Sequence, residues 1–427
     1  MCRIHVKNVL FGDCNILESE NTVLVVDCGS ANKRKPRIYS NVASKETFTY
    51  SKIQFLENDI RTKDLLISHY HEDHFNGILQ VKLRNKIKFQ HIYLPFTILE
   101  ADALEKYESA IGWLALLFCI ALPGTATFRI TDKLLKLWKD LPDIVVDFNN
   151  IRCLKRSDVF ISGNLRNEVL WPAIKVEQWL KSLGDSERAR ECIRWKLKND
   201  FGRCMDVFDI GKEKYLFIYN LLCVITGVLN KRKRNSEDLN TYSENLHALN
   251  EIAVELRAEN KKNYVIADDA KKRTMLVTAR AAYHDYSDLT NAASVIFHES
   301  DDKSIGRYIF LGDATADVIK AIRQESCLSF KKYYQAVKVQ HHGTQSHFTR
   351  VMPAGQNYII SNGGYKRRKI SEKLLRHIVA DATAEIYCTG AHEGRPANNS
   401  GSVYCESTSG CPFCVHEIVD DAVIKLR

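Results

Sequence analysis

The sequence predicts an α/β domain assembled from both ends of the chain and split by a large, mainly helical insertion. Three observations predict this. Short β-rich runs separated by turn residues occupy 1–95. Long helical patterns with few prolines and glycines occupy 96–284, about 190 residues. From 285 to 427 β-rich runs return, alternating with short helices. No internal repeat is visible.

In the first part, Ile4 to Val9, Thr22 to Val26, Leu65 to Ser68 and His91 to Leu94 read as strands. Leu24-Val25-Val26 is apolar without alternation, as a strand covered on both faces would be. In the insertion, Leu99 to Leu122, Thr131 to Leu141, Val176 to Leu183, Ser186 to Lys198 and Glu237 to Glu259 carry helical apolar stripes. In the last part, Val295 to Phe297, Tyr308 to Leu311, Ala336 to Val339 and Tyr358 to Ser361 read as strands. Ala316 to Arg323 and Glu372 to Ala380 read as helices.

Composition narrows the class. Of 427 residues, 45% are hydrophobic and 26% charged, which excludes disorder, collagen and coiled coil as whole-chain descriptions. The net charge of +9 is modest for this length and favours a polyanionic partner only weakly. The longest apolar run, Ile111 to Leu122, is too short to span a bilayer. Met1 to Asp13 is polar and interrupted, unlike a secretion leader, so a soluble cytoplasmic protein without membrane contact is expected. Thirteen cysteines, an odd number sitting mostly in apolar company, are expected to be reduced thiols.

The chemistry is carried by Ser68-His69-Tyr70-His71-Glu72-Asp73-His74, which follows the apolar Leu65-Leu66-Ile67 and precedes Phe75-Asn76-Gly77. Two imidazoles from one loop can face one ion while the aspartate and the last imidazole face a second. With 14 histidines in the chain, H-x-H-x-D-H is expected by chance on the order of 10⁻³ times. An ion held this way lowers the pKa of its water from 15.7 towards about 7, giving a nucleophile at neutral pH without a serine or cysteine.

These residues resemble the metallo-β-lactamase fold superfamily, whose signature is a strand ending in H-x-H-x-D-H. The resemblance continues, in order, at Thr22 to Gly29, at Tyr308 to Ala314 and at Val337 to Thr344. Phe11-Gly12-Asp13-Cys14 and Asn291-Ala-Ala-Ser294 make the chain similar to the nuclease-like domain of the competence protein ComEC; phosphorylcholine esterases share part of the pattern. The resemblance covers about 1–95 and 285–390 and implies a metallo-β-lactamase-like αββα sandwich, with a helical insertion that has no counterpart. It further implies one or two divalent ions, Zn or Mn. His69 and His71 would hold the first, Asp73, His74 and His342 the second, with Asp313 between them. Asp73, Asp313 and His341 would be catalytic, His341 facing the substrate or the leaving group. Asp27 would orient the histidine loop, and Asp13 would be a turn residue or lie behind the ligands. The family's further histidine is missing: Asn291 to Ser294 stands in its place, so the first site would have three protein ligands completed by water, substrate or Asn291. His298 reads as a solvent-facing strand end.

Cleavage of a phosphodiester, foremost DNA or another nucleic acid, is the leading functional expectation. Lys33-Arg34-Lys35 with Arg37, Lys231 to Arg234, Lys271-Lys272-Arg273 and Lys366 to Lys369 are the candidate backbone contacts. Lys231 to Arg234 is expected in an exposed loop. The alternative is the same chemistry on a small molecule, a phosphocholine-type or cyclic-nucleotide diester, a lactone or a thioester, which a helical cap over the site would favour. A non-catalytic metal-binding module is a third reading. The insertion is a candidate surface for self-association or a protein partner. Cys388, Cys405, Cys411 and Cys414 form a loose candidate for a structural zinc.

Overall fold

A computed structural model of the chain describes residues 2–31, 44–96, 105–301, 303–324, 330–344, 347–362, 370–389, 415–417 and 421–426. Two sheets face each other. The first contains β1 (Cys2–Lys7), β2 (Asn15–Glu18), β3 (Thr22–Val26), β4 (Thr62–Leu66), β5 (His91–Pro95) and β6 (Ile151–Leu154). The second contains β7 (Val159–Ser162), β8 (Leu165–Trp171), β9 (Ile296–Glu299), β10 (Ile305–Phe310), β11 (Tyr333–Lys338), β12 (Gly355–Ile360), β13 (Glu385–Cys388) and β14 (Val415–Glu417). The last strand, β15 (Asp421–Leu426), returns to the first sheet and pairs antiparallel with β1, Cys2 opposite Leu426. Strand orders are β15-β1-β2-β3-β4-β5-β6 and β14-β13-β12-β11-β10-β9-β8-β7. Each sheet is antiparallel at one end and parallel at the other, the change falling at β3 and at β10.

The pleat explains the sequence pattern. On β3, Leu24 and Val26 enter the core between the sheets, with Ile4, Tyr93, Phe160, Phe297, Tyr308 and Phe310. Val23 and Val25 point the other way, into the core beneath the helices. A strand buried on both faces needs no polar alternation. The architecture is therefore the expected αββα sandwich carrying a helical insertion.

Small helices line the first sheet: α1 (Lys45–Ser51), α2 (Glu72–Phe75) and α3 (Val81–Arg84). The insertion follows, with α4 (Ala110–Cys119), α5 (Ala126–Ile144), α6 (Val176–Leu183), α7 (Glu187–Val207), α8 (Lys212–Asn230), α9 (Ser236–Ile266) and α10 (Asp269–Ala292). The helices α11 (Ala316–Gln324) and α12 (Glu372–Val379) cover the second sheet's parallel half. Helix α4 is buried on every side, which accounts for its unbroken apolar run; Tyr215 on α8 donates its hydroxyl hydrogen to Gly112 O in its first turn. No helix among the described residues is long and apolar enough to cross a membrane.

The structure corrects the sequence reading in three places. Residues 151–171, assigned to the insertion, form β6, β7 and β8 and extend both sheets. Their alternation (Val-Phe-Ile-Ser, then Leu-Arg-Asn-Glu-Val) is short and lies between long helices, so a helical texture dominates any wide window. Lys231 to Lys233 lie in the expected exposed loop, but Arg234 is buried. Lys231 pairs with Asp238 at 2.5 Å, Arg232 with Asp158 at 3.2 Å, and buried Arg234 donates to the carbonyls of Val228, Leu229, Phe148 and Ile151. His298 does not face solvent: it is buried, with Nδ1 2.7 Å from the Tyr334 hydroxyl and Nε2 3.3 Å from Glu168. Cys388 is buried at the end of β13, whereas Cys405, Cys411 and Cys414, Lys33 to Arg37 and Lys366 to Lys369 lie outside the described residues.

Candidate metal centre

The site forms where the parallel halves of both sheets end. Beyond β4 the chain turns through Ser68 to His71 and enters α2, burying His69, His71 and His74. Two earlier turns fix this loop through the backbone. Asp13 N donates to Asp73 O at 3.0 Å, and Cys28 N to His74 O at 2.7 Å. Gly29 permits the approach, because a Cβ there would meet the Asp73 carbonyl carbon at 2.2 Å and His74 N at 2.3 Å. Asp27, with φ of 60°, accepts from Ser68 N and Oγ, both at 2.7 Å, and lies 2.9 Å from His74 Nδ1. A proton on Nδ1 directed at Asp27 turns His74 Nε2 inward, where it would offer a lone pair once a cation takes the place of its proton.

The second sheet supplies the opposite wall. After β10, Gly312 (φ 51°) turns the chain so that Asp313 enters the centre, its amide donating to Ser294 Oγ at 3.2 Å. Asp313 Oδ1 lies 3.5 Å from His74 Nε2. Its Oδ2 lies 3.8 Å from His69 Nε2, 3.5 Å from His342 Nε2 and 3.4 Å from His341 Nδ1. After β11, His341 and His342 both adopt left-handed backbone angles, φ 43° and 55°. Such a conformation is costly for two successive non-glycine residues and persists where the surroundings hold it. It turns His342 inward, 3.5 Å from Asp73 Oδ2, and leaves His341 at the rim, stacked on His347 with ring centroids 3.9 Å apart. Asn291, at the end of α10, places Nδ2 3.2 Å from His341 Nδ1.

Two donor groups emerge. Asp13, His74, Asp313 and His342 each bring one ligand atom within 4.8 Å of the others, as do His69, His71 and Asp313. Asp73 lies beside the first group through His342, and His69 Nε2 is 3.0 Å from His71 Nδ1. Asp13 approaches from behind the rings, its Oδ2 3.8 Å from His74 Nδ1 and 3.6 Å from His342 Nδ1. The buried atoms His71 Nε2, His74 Nε2, His342 Nε2, Asp13 Oδ2 and Asp313 Oδ1 make no hydrogen bond among the described residues. So many buried polar atoms without partners are expensive unless something else satisfies them. Two imidazole-rich groups sharing a carboxylate suit one or two divalent cations.

Electrostatics agree with that donor set. Burial pushes His69 well below the usual histidine range, and pushes His71 down to about 4 against the pull of Asp73 and Asp313. Burial pushes Asp313 and Asp73 up, but the neighbouring imidazoles, His342 and His74 foremost, outweigh it and hold both carboxyls well below the carboxylate range. At neutral pH Asp73 and Asp313 are ionised carboxylates and His69 and His71 neutral imidazoles, the protonation states that ligation needs. Burial opposes charge on His74, but Asp313 and Asp27 overcome it, so the cation-free centre keeps its proton there.

Two contributors were not legible from motifs. Lys338, buried at the end of β11, places Nζ 3.0 Å from Asp13 Oδ1 and donates to Val339 O at 3.0 Å. A lone lysine in the apolar Ala-Val-Lys-Val was the available signal. Tyr286 on α10 meets the His71 ring edge-on at 6.4 Å, carrying the insertion onto the centre; no sequence pattern distinguishes it from a core tyrosine.

Fold and centre together define a two-sheet protein whose loops bring together buried histidine and aspartate groups suited to divalent cations. Residues 8–171 match the family model of the metallo-beta-lactamase superfamily. That domain contains the histidine loop and ends with β8. No curated protein matches the chain.

Proposed function

We propose that this chain is a metal-dependent hydrolase that cleaves a small phosphodiester held between the metal centre and the helical insertion. The observation that carries the reading is the convergence of buried, unpartnered histidine and aspartate atoms in two groups sharing Asp313. His69 and His71 would hold one ion, Asp73, His74 and His342 the other, with Asp313 between. Divalent ions there supply an acidified water and polarise the scissile group. Asp313 Oδ1 accepts a hydrogen bond from the attacking water. His341, at the rim, delivers a proton from its ring nitrogen to the departing oxygen, and Asn291 sets its orientation. Asp27 and Lys338 hold His74 and Asp13 in place.

The phosphodiester is supported by the ComEC-like set Gly12-Asp13, Asn291 to Ser294, Gly312-Asp313 and His341-His342-Gly343-Thr344. A small substrate is supported over nucleic acid by what the described cations do. Of the Lys231 to Arg234 cluster, Arg234 is buried on carbonyls, and the exposed Lys231 and Arg232 each pair with an aspartate, leaving a reduced positive charge there. Lys271 to Arg273 sit at the start of α10, Lys271 about 22 Å along the helix axis from Tyr286 at 1.5 Å per residue. A panel of small diesters set against single- and double-stranded DNA, with Zn²⁺ or Mn²⁺ and with His71→Ala as control, tests the reading. Metal-dependent turnover of small diesters, lost in the variant, is expected. Preferential DNA cleavage would overturn the small-substrate part, and equal turnover by His71→Ala would overturn the whole.

A further inference from the structure

The helical insertion encloses a cavity of about 50 Å³ that opens against the metal centre. One wall is the histidine loop itself, through His69 and Tyr70; the others are Trp138 of α5, Trp179 of α6, Leu114 of α4 and Tyr286 of α10. His69 links the two spaces, its Nε2 lying 3.0 Å from His71 Nδ1 and 3.8 Å from Asp313 Oδ2. The lining includes no Asp, Glu, Lys or Arg. The aliphatic hydroxyl groups that reach the lining are engaged by their own helices. Ser109 Oγ accepts from Gly112 N at the start of α4, Thr226 donates to Leu222 O, and Thr290 donates to Tyr286 O. The lining residues Tyr70, Tyr286 and Trp138 also carry two phenol hydroxyls and an indole N–H, the last without a hydrogen-bond partner among the described residues. A phosphate entering here would lose its hydration and find no cationic side chain in exchange. An apolar group would trade water for two indoles and a leucine.

We infer that this cavity is the substrate subsite for a short, uncharged apolar group attached next to the scissile bond. A space of about 50 Å³ takes a short chain, on the order of a butyl or butanoyl group. The hydrolase reading supplies the direction of the argument, since it makes the His69 edge the place where the bond is cut. Cavity binding itself can be measured without turnover. The cavity takes the chain whether it belongs to the acyl part of an ester or to the alkyl arm of a phosphodiester.

The test uses the full chain, metal-free and metal-loaded, titrated with n-alkanols from ethanol to octanol, read by tryptophan fluorescence because Trp138 and Trp179 form the walls. Affinity is expected to rise about fourfold per methylene up to four or five carbons and then level off. Leu114→Trp and Thr290→Leu, which fill the space from different helices, are expected to remove that dependence; either one, if folded, suffices. No dependence on chain length, or an unchanged dependence in a folded filling variant, overturns the assignment. Turnover of 4-nitrophenyl alkanoates and of alkyl 4-nitrophenyl phosphates of matched length then identifies the source. A chain-length optimum in either series supports the subsite, and length-independent turnover contradicts it. Alkanol binding with no hydrolysis of any substrate leaves the cavity assigned and refutes the hydrolase reading instead.

Discussion

Replacing Lys338 by methionine keeps the length and apolar stem of the side chain while deleting a charge buried between the sheets. Lys338 and Asp13 are 3.0 Å apart, and their side chains are 3% and 1% exposed. At an effective dielectric of about 20 their attraction is about 5 kcal/mol, offset in part by the desolvation of both groups. Asp13 Oδ1 retains only Asn15 Nδ2, at 3.4 Å, and Oδ2 has no hydrogen-bond partner among the described residues. Removing one partner of a buried pair costs about 3–5 kcal/mol. Because His74 and His342 also lie 3.8 and 3.6 Å from Asp13 Oδ2, Lys338→Met is expected to destabilise the chelator-treated protein by less, about 2–4 kcal/mol. Asp13→Asn alone strands the ammonium and is expected to cost a similar amount. The double variant removes both charges and is expected to cost at least about 2 kcal/mol less than the sum of the singles. Urea unfolding midpoints of the four proteins, compared at constant slope, measure the cycle. Costs that add, or a Lys338→Met protein as stable as the parent, would refute the ion pair as the feature that holds Asp13.

Further outcomes follow from neighbouring contacts. Gly29→Ala places a Cβ against the Asp73–His74 backbone and is expected to cost about 1–3 kcal/mol and to weaken Zn²⁺ binding, read by thermal unfolding and calorimetric titration. His298→Gln breaks the contacts to Tyr334 and Glu168 and is expected to lower stability by about 1–3 kcal/mol while leaving metal content unchanged; loss of an ion would place His298 in the centre after all. Asp285 is buried on α10 against Lys196, and burial raises its pKa from 3.8 to about 6. The folded chain therefore binds this proton more tightly, so the stability it contributes is lost as pH rises from about 4 through 6. Asp285→Asn, in which Lys196 keeps Asp200 at 2.9 Å, is expected to gain stability relative to the parent across that window, by about 1–3 kcal/mol. Melting temperatures at pH 4.5 and 7.5 that differ equally in both proteins would contradict the assignment.

The fold was legible wherever pattern and length agreed. Thr22–Val26 is β3 residue for residue, because a strand covered on both faces leaves an unmixed apolar run between turn residues. Val176–Leu183 is α6 as its stripe indicates. The strands β6 to β8 were not legible, since four to seven alternating residues between long helices carry little periodic signal. Of the centre, the six motif residues His69, His71, Asp73, His74, Asp313 and His342 are brought together by the loops that end β4, β10 and β11. What motifs cannot convey is which atoms face inward. That depends on Asp27 claiming His74 Nδ1 and on two left-handed histidines in succession. Lys338 and Tyr286 became visible only once the second sheet and α10 were placed against the histidine loop.

The most direct test of the central claim is hydrolysis of bis(4-nitrophenyl) phosphate by the chelator-stripped chain before and after Zn²⁺ or Mn²⁺ is restored, beside a folded Asp313→Asn variant. The account predicts that turnover disappears with the chelator, returns with the metal, and does not return in the variant, which lacks the carboxylate shared by both donor groups. Turnover indifferent to the chelator, or equal rates in the reloaded parent and the variant, would contradict it.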